Sequence, residues 1–170
     1  MLKNSLLFKE ELSKKYQEIM YDMDYQYYMG NSGRNYWFPE DTYENHSFVS
    51  LDNDGNIIGA ISYHLDRAAR RAYNFGALSF DRGNLTFTKD LLQAIDNIFR
   101  RFGMSSLDFM AFTDNPITPT YTKLVEKYGG RIVGVYYNNM MLQDGRLHNT
   151  ILYEMTLGGY IAAKEGFNHV

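Results

Sequence analysis

The stretch FTDNPITPTYTKLVEKYGGRIVG, residues 112 to 134, decides the fold. An apolar run ends on Asp114 and Asn115, prolines at 116 and 119 mark a helix start, Gly129 and Gly130 stop the helix, and Ile132 and Val133 open a strand. Within it Ile117, Tyr121, Leu124, Val125 and Tyr128 recur at steps of three and four, so one helical face is apolar. Asn before Pro is a good helix cap, and Thr118 before Pro119 is a rival. Just upstream, SLDFMAF at 106–112 is short and nearly continuous in apolar character, as a strand covered on both faces should be.

Working outward, TKDLLQAIDNIFRRFG at 88–103 places Leu91, Leu92, Ile95, Ile98, Phe99 and Phe102 on one face, with Thr88 as candidate cap and Gly103 as stop. Before it come three strand-period segments, HSFVSL, IIGAISYHL and AYNFGALSF, joined by DNDGN and DRAARR. The Asp-Gly turn supports a hairpin, and the three segments form an antiparallel meander. The last meander strand, the 88–103 helix and the 106–112 strand imply a right-handed crossover and a parallel pair. Downstream, a second Asp-Gly hairpin pairs RIVGVYYNNMML with RLHNTILYEMTL. At the N-terminus, Leu12, Tyr16, Ile19, Met20 and Met23 define a helix over roughly 8–24, while MLKNSLLF shows no distinct strand, which leaves the sheet one strand short. The tail GGYIAAKEGFNHV reads either as a mobile end or as a small docking or dimer segment.

The chain has 170 residues, 45% hydrophobic and 22% charged, with net charge −3 and no cysteine. That is one soluble globular domain over 1–170, with an N-terminal helix and loop in 1–45 and a tail in 158–170, and without disulfides or thiolate zinc sites. With no apolar run of 18 residues and no secretory pattern, the reading is cytoplasmic and away from membranes. His46, His64, His148 and His169 lack metal-ligand spacing, so no metal is expected. Neither a Gly-x-Ser-x-Gly elbow nor a Walker A sequence occurs, which removes hydrolase and NTPase readings. The one dense basic cluster, Arg67, Arg70 and Arg71, sits in a turn, so nucleic acid ranks last among partners.

Meander, helix, central strand, helix and final hairpin is the element order of the GNAT N-acetyltransferase superfamily. The chain resembles it from about Ile57 to Met155, including NFGALSF, DRGNLTFT, the strand ending near Asn115, EKYGGRIVG and LQDGRLHNTILYEM. The resemblance implies an α/β domain whose mixed, mostly antiparallel sheet has a splayed parallel strand pair and helices on both faces. It implies acetyl-CoA as co-substrate, its arm lying in the splay, and acetyl transfer to a primary amine of a small molecule or peptide by direct attack. The CoA-binding set it suggests is Leu78 and Phe80 through their backbone, Arg82, Gly83, Asn84, Thr86 and Thr88 at the pyrophosphate, and Asn115 and Lys123 near the second helix. Leu85 and Phe87 stand where the family has small residues, and Asp90 opposes a bound phosphate.

For the acid that protonates departing thiolate, the family's Tyr position holds Val125, which leaves Tyr121 one turn earlier, with Tyr128 as rival. His64 and Glu44 are the candidates for deprotonating the amine. The aromatic stretch from Tyr25 to Phe38, with Trp37, would wall the acceptor site or close the core. The alternative to an enzyme is a GNAT-like binding or assembly module that has lost CoA, motivated by the bulky phosphate loop and Val125. The Met and Tyr residues of VYYNNMML suit either a homodimer's sheet edge or the core.

Overall fold

The computed structural model describes residues 1–29 and 42–167, so Trp37 and residues 30–38 of the aromatic stretch lie outside the described residues. Seven strands form one sheet in the order β1-β2-β3-β4-β5-β7-β6. They are β1 Leu2–Asn4, β2 Asn45–Leu51, β3 Ile57–Asp66, β4 Arg71–Ser79, β5 Ser106–Phe112, β6 Arg131–Met141 and β7 Leu147–Thr156. All neighbours are antiparallel except β4 and β5, which meet in parallel. The strand missing from the sequence reading is β1, whose three residues pair Leu2 to Ser50 and Asn4 to Phe48. Three residues carry too little periodicity to be seen without their partner.

Among the described residues five α-helices flank the sheet: α1 Lys9–Ile19, α2 Gln26–Met29, α3 Leu85–Asp96, α4 Thr118–Lys127 and α5 Leu157–Phe167. On one face Leu12 of α1 buries against Val49, Leu51 and Ala60. The opposite face is the main core, where Ile95, Ile98, Val125 and Tyr160 pack on Tyr63, Leu107, Tyr153 and Met155. Of the two readings of the tail, docking holds over α5, which packs onto the main core. Tyr160 is buried, stacks on Phe99 with ring centroids 4.9 Å apart, and donates a hydrogen bond to Asp96 at 3.0 Å. The N-terminal helix is shorter than the expected 8–24, ending at Ile19 before α2 begins.

Helix α3 starts three residues before the expected cap Thr88. Asn84 is the cap, its Oδ1 accepting the N–H of Thr86 at 2.9 Å and of Phe87 at 3.4 Å. The helix continues as a π turn over Asn97–Arg101 and stops at Gly103. At the other end of the deciding stretch, α4 ends where Gly129 takes a φ of 71° and lies against the backbone of Gly159. The final hairpin leaves Val133, Val135, Tyr136 and Tyr137 of edge strand β6 exposed, so these residues are surface rather than core. Arg67 lies over the Tyr43 ring, Arg70 donates to the carbonyl of Gly103, and Arg71 pairs with Asp108, so the basic turn is engaged within the chain. Among the described residues no helix is long and apolar enough to cross a membrane.

Candidate active site

The site begins with a strand irregularity. Between His64↔Tyr73 and Ser62↔Gly76, Asn74 and Phe75 of β4 oppose the single residue Tyr63 of β3. Asn74 takes a φ of 51°, and such a bulge bends the strand and increases its twist. β4 pairs with β5 only through Arg71↔Ser106 and Ala72↔Leu107, below the bulge. Above it the two strands part and leave a slot whose edges are backbone.

Which amides face the slot follows from ladder alternation. Phe80 donates its N–H to the Ile58 carbonyl at 2.9 Å. In an antiparallel ladder every second residue points the same way, so Leu78, opposite Ala60, also turns its N–H toward β3. The expected backbone contacts at Leu78 and Phe80 are thus committed inside the sheet. Ala77 and Ser79, one residue off, present their amides to the slot, and both line the cavity there.

That cavity has a volume of about 630 Å³, within the range of small-molecule sites. It runs from the start of α3, with Arg82, Gly83 and Asn84, past Ala77 and Leu91 to Asn115 and Tyr121 at α4. Met23 to Tyr28, apart from Tyr25, close its outer side. A second chamber of about 120 Å³ adjoins it under the splay, sharing Tyr28, Ala77, Asn115 and Tyr121 among its walls. Asn115 is buried, its Oδ1 accepts the Ile117 N–H at 3.2 Å, and its side chain also reaches the Tyr28 hydroxyl. Asn115 thus closes the turn that leads into α4 and forms a wall of the cavity, while the cap position itself is Ile117, without a side-chain bond, so neither Asn115 nor Thr118 is the cap.

The anion end is built from Arg82 and the start of α3. Arg82 donates to the Asp24 carbonyl at 3.0 Å, lies 3.7 Å from the Asp24 carboxylate and stacks over Tyr25. Asn84 already satisfies two of the first N–H groups of α3, which leaves those of Gly83 and Leu85 without a protein acceptor among the described residues. The two bulky residues do not obstruct this end as their types suggested. Leu85 is 75% exposed and points away, while Phe87 is buried, its ring seated over Gly59 in β3. Asp90 faces β2 instead of a phosphate, accepting from Ser50 at 2.7 Å and pairing with the N-terminal ammonium at 2.8 Å.

Among the other predicted site residues, Arg82, Gly83, Asn84, Thr88, Asn115 and Tyr121 come together around the cavity. Thr86 is not in its wall, and Thr88 spends its hydroxyl on the Asn84 carbonyl at 3.3 Å. Lys123 is exposed on the outer side of α4 and does not line the cavity. His64 and Glu44 sit together at the far end of β3, where Asn45 pairs His64, His64 packs against Tyr73 and the Glu44 carbonyl accepts the Leu65 N–H. That end lies below the bulge, where the strands are still joined, so neither reaches the splay. The rival acid Tyr128 is buried beside Tyr160 in the core.

Tyr121 projects into the slot with its ring edge-on to Phe109. Burial raises its pKa well above the ordinary tyrosine value, with the Tyr28 hydroxyl adding to the shift, so it stays protonated through neutral and mildly alkaline pH. Sequence reasoning missed Ala77, Ser79, Gln26 and the assignment of Tyr27 and Tyr28 to this wall, although the aromatic richness of that segment was visible. It also missed a cluster beside Tyr27: His148 is bonded by Asp114 at 2.6 Å and by Asp144 at 3.0 Å. Burial lowers the His148 pKa, but the two carboxylates outweigh it and raise the value above the ordinary imidazole's. Among the described residues no group of three or more such side chains is arranged to hold a metal ion.

No protein-family model matches the chain, and no curated protein matches its sequence. Solved structures do. A mutant form of the spermidine/spermine N-acetyltransferase SpeG from Vibrio cholerae is similar at 16% identity and a TM-score of 0.71, over 96% of this chain and 97% of that one. SpeG in complex with manganese ions is similar at 16% identity and a TM-score of 0.66, with 95% of each chain covered. A structure described as a probable acetyltransferase is similar at 20% identity and a TM-score of 0.56, over 67% of this chain and 63% of that one. The chain has the fold of the GNAT N-acetyltransferases, as its element order implied.

Proposed function

We propose that this chain, built on the GNAT fold, transfers an acetyl group from acetyl-CoA to a primary amine. The observation that carries the reading is the slot: two strands parted above a bulge, with amides of Ala77 and Ser79 facing a cavity that runs from α3 to Tyr121. A pantetheine arm is an extended chain with amide groups, and unpaired strand amides beside an apolar wall suit it. Arg82 and the N–H groups of Gly83 and Leu85 would take the pyrophosphate.

In this reading the amine nitrogen attacks the thioester carbonyl, a C–N bond forms, and negative charge gathers on the carbonyl oxygen. The Ala77 N–H, which faces the slot, would hold that oxygen. Collapse breaks the C–S bond, and the thiolate takes a proton from Tyr121, which burial keeps protonated. In this reading the acceptor's own proton leaves to water, and water returns a proton to Tyr121; among the described residues the carboxylate in the cavity wall, Asp24, sits beside Arg82. The slot thus contributes mainly positioning.

The test is release of free CoA thiol from acetyl-CoA in the presence of a panel of primary amines, small and peptidic. Amine-dependent release that falls in a Tyr121→Phe variant supports the reading; an absence of release with every amine removes it. A second reading, a binding module that has lost CoA, draws on Asn84, which already occupies two helix amides at the anion end.

A further inference from the structure

The small chamber under the splay has a different character from the cavity it adjoins. Where the two meet, Asn115, Tyr28, Tyr121 and the slot-facing amide of Ala77 supply polar groups beside Leu91 and Leu124. Beyond that rim the chamber is lined by Phe75, Ile95, Phe109, Met110, Ala111 and Met155, with no charged side chain among the described residues. A thioester carbonyl held at the polar rim points its acyl carbons into this apolar floor.

We infer that the chamber is an acyl-chain pocket and that the enzyme accepts acyl-CoA thioesters longer than acetyl, up to about butyryl. The inference rests on the acyltransferase reading of the slot. Its volume of about 120 Å³ is far more than the single methyl of an acetyl group needs. An apolar cavity of about 150 Å³ accommodates benzene, so this one suits three or four carbons beyond the carbonyl. Acetyl leaves most of the space empty, and each added methylene up to that limit gains contact with Ile95, Phe109 and Met155. Burial of one methylene corresponds to roughly fourfold in affinity.

The experiment is calorimetric titration of the wild-type protein with CoA, acetyl-CoA, propionyl-CoA, butyryl-CoA and octanoyl-CoA, which needs no knowledge of the acceptor. The expected result is tightening of about fourfold per methylene, roughly fifteenfold from acetyl to butyryl, with octanoyl-CoA weaker than butyryl-CoA. In Ala111→Val the added carbons enter the chamber, and the butyryl advantage should shrink while acetyl-CoA binding is kept. Ile95→Phe, which adds volume to the chamber from α3, gives the same test if Ala111→Val melts too low to titrate. Butyryl-CoA binding no tighter than acetyl-CoA, with CoA itself bound, overturns the acyl pocket and leaves the acyltransferase reading standing. No binding of any thioester or of CoA overturns both.

Discussion

Substituting Gly59→Ala probes how the chain accommodates a phenylalanine at the start of α3. A Cβ at residue 59 would collide with the Phe87 ring and lie 2.8 Å from the Leu78 carbonyl oxygen. The carbonyl belongs to the β3–β4 ladder and cannot retreat, so the Phe87 ring has to move. Overpacking of this kind costs about 1–3 kcal/mol. At about 2–4 °C per kcal/mol for a chain of this size, the melting temperature should fall by roughly 2–12 °C. Phe87 lines the large cavity, into which the ring can move, so acetyl-CoA affinity should weaken with stability. Phe87→Leu in the same background relieves the clash, and the double variant should be more stable than the sum of the single costs by more than about 0.5 kcal/mol. Thermal unfolding followed by circular dichroism, with calorimetric titration alongside, reads both effects. A Gly59→Ala melt within a degree of wild type, or strictly additive costs, would refute the seating of Phe87 on Gly59.

Tyr121→Phe should lower kcat by about 10²-fold or more while leaving acetyl-CoA affinity nearly unchanged, since only the proton donor is lost; equal turnover would exclude Tyr121 as the acid. Arg82→Ala should weaken CoA binding roughly tenfold and flatten its salt dependence, because a charged hydrogen-bond donor is removed; unchanged affinity would place the pyrophosphate elsewhere. Because His148 has a folded pKa above its ordinary 6.5, the stability it contributes is complete below that value and is lost as pH rises through the higher folded one. Asp144 is held below 3.8, chiefly by its bond to His148, and its share is lost as pH falls through that lower value. The melting gap between wild type and His148→Gln should therefore be widest between about pH 4 and 6.5 and narrow toward pH 9; a gap independent of pH would contradict the clamp. Gly129→Ala combines a positive φ with a collision against the Gly159 carbonyl, and loss of more than about 2 kcal/mol in chemical denaturation is expected.

Much of the fold was legible because its signals are local. Asp-Gly turns, alternating strands and the apolar face of α4 each lie within a dozen residues, and the order of β2 to β7 followed from them. What escaped depends on distance or on register. β1 is a strand only because Ser50 to Phe48 offer it an edge. The slot amides were placed one residue off because alternation along β4 is set by pairing to β3 around the bulge at Asn74, which has no sequence signature. Phe87 looked obstructive because Gly59, the residue that makes room for it, lies in another strand. His148 joins Asp144 across a tight hairpin, a spacing visible in sequence, but Asp114 arrives from the turn after β5 and only the folded chain shows the cluster. His64 and Glu44 were right about being neighbours of the meander and wrong in height along it, since the strands part only above the bulge.

The central claim is that the parted strands hold an acyl-CoA, and calorimetric titration of the wild-type protein with acetyl-CoA, beside desulfo-CoA, tests it most directly. Saturable binding in the micromolar range by both is the predicted result, because the slot grips the arm and the pyrophosphate rather than the sulfur. No heat from either at millimolar concentration would contradict the account and leave the slot as a feature of a GNAT-like binding module.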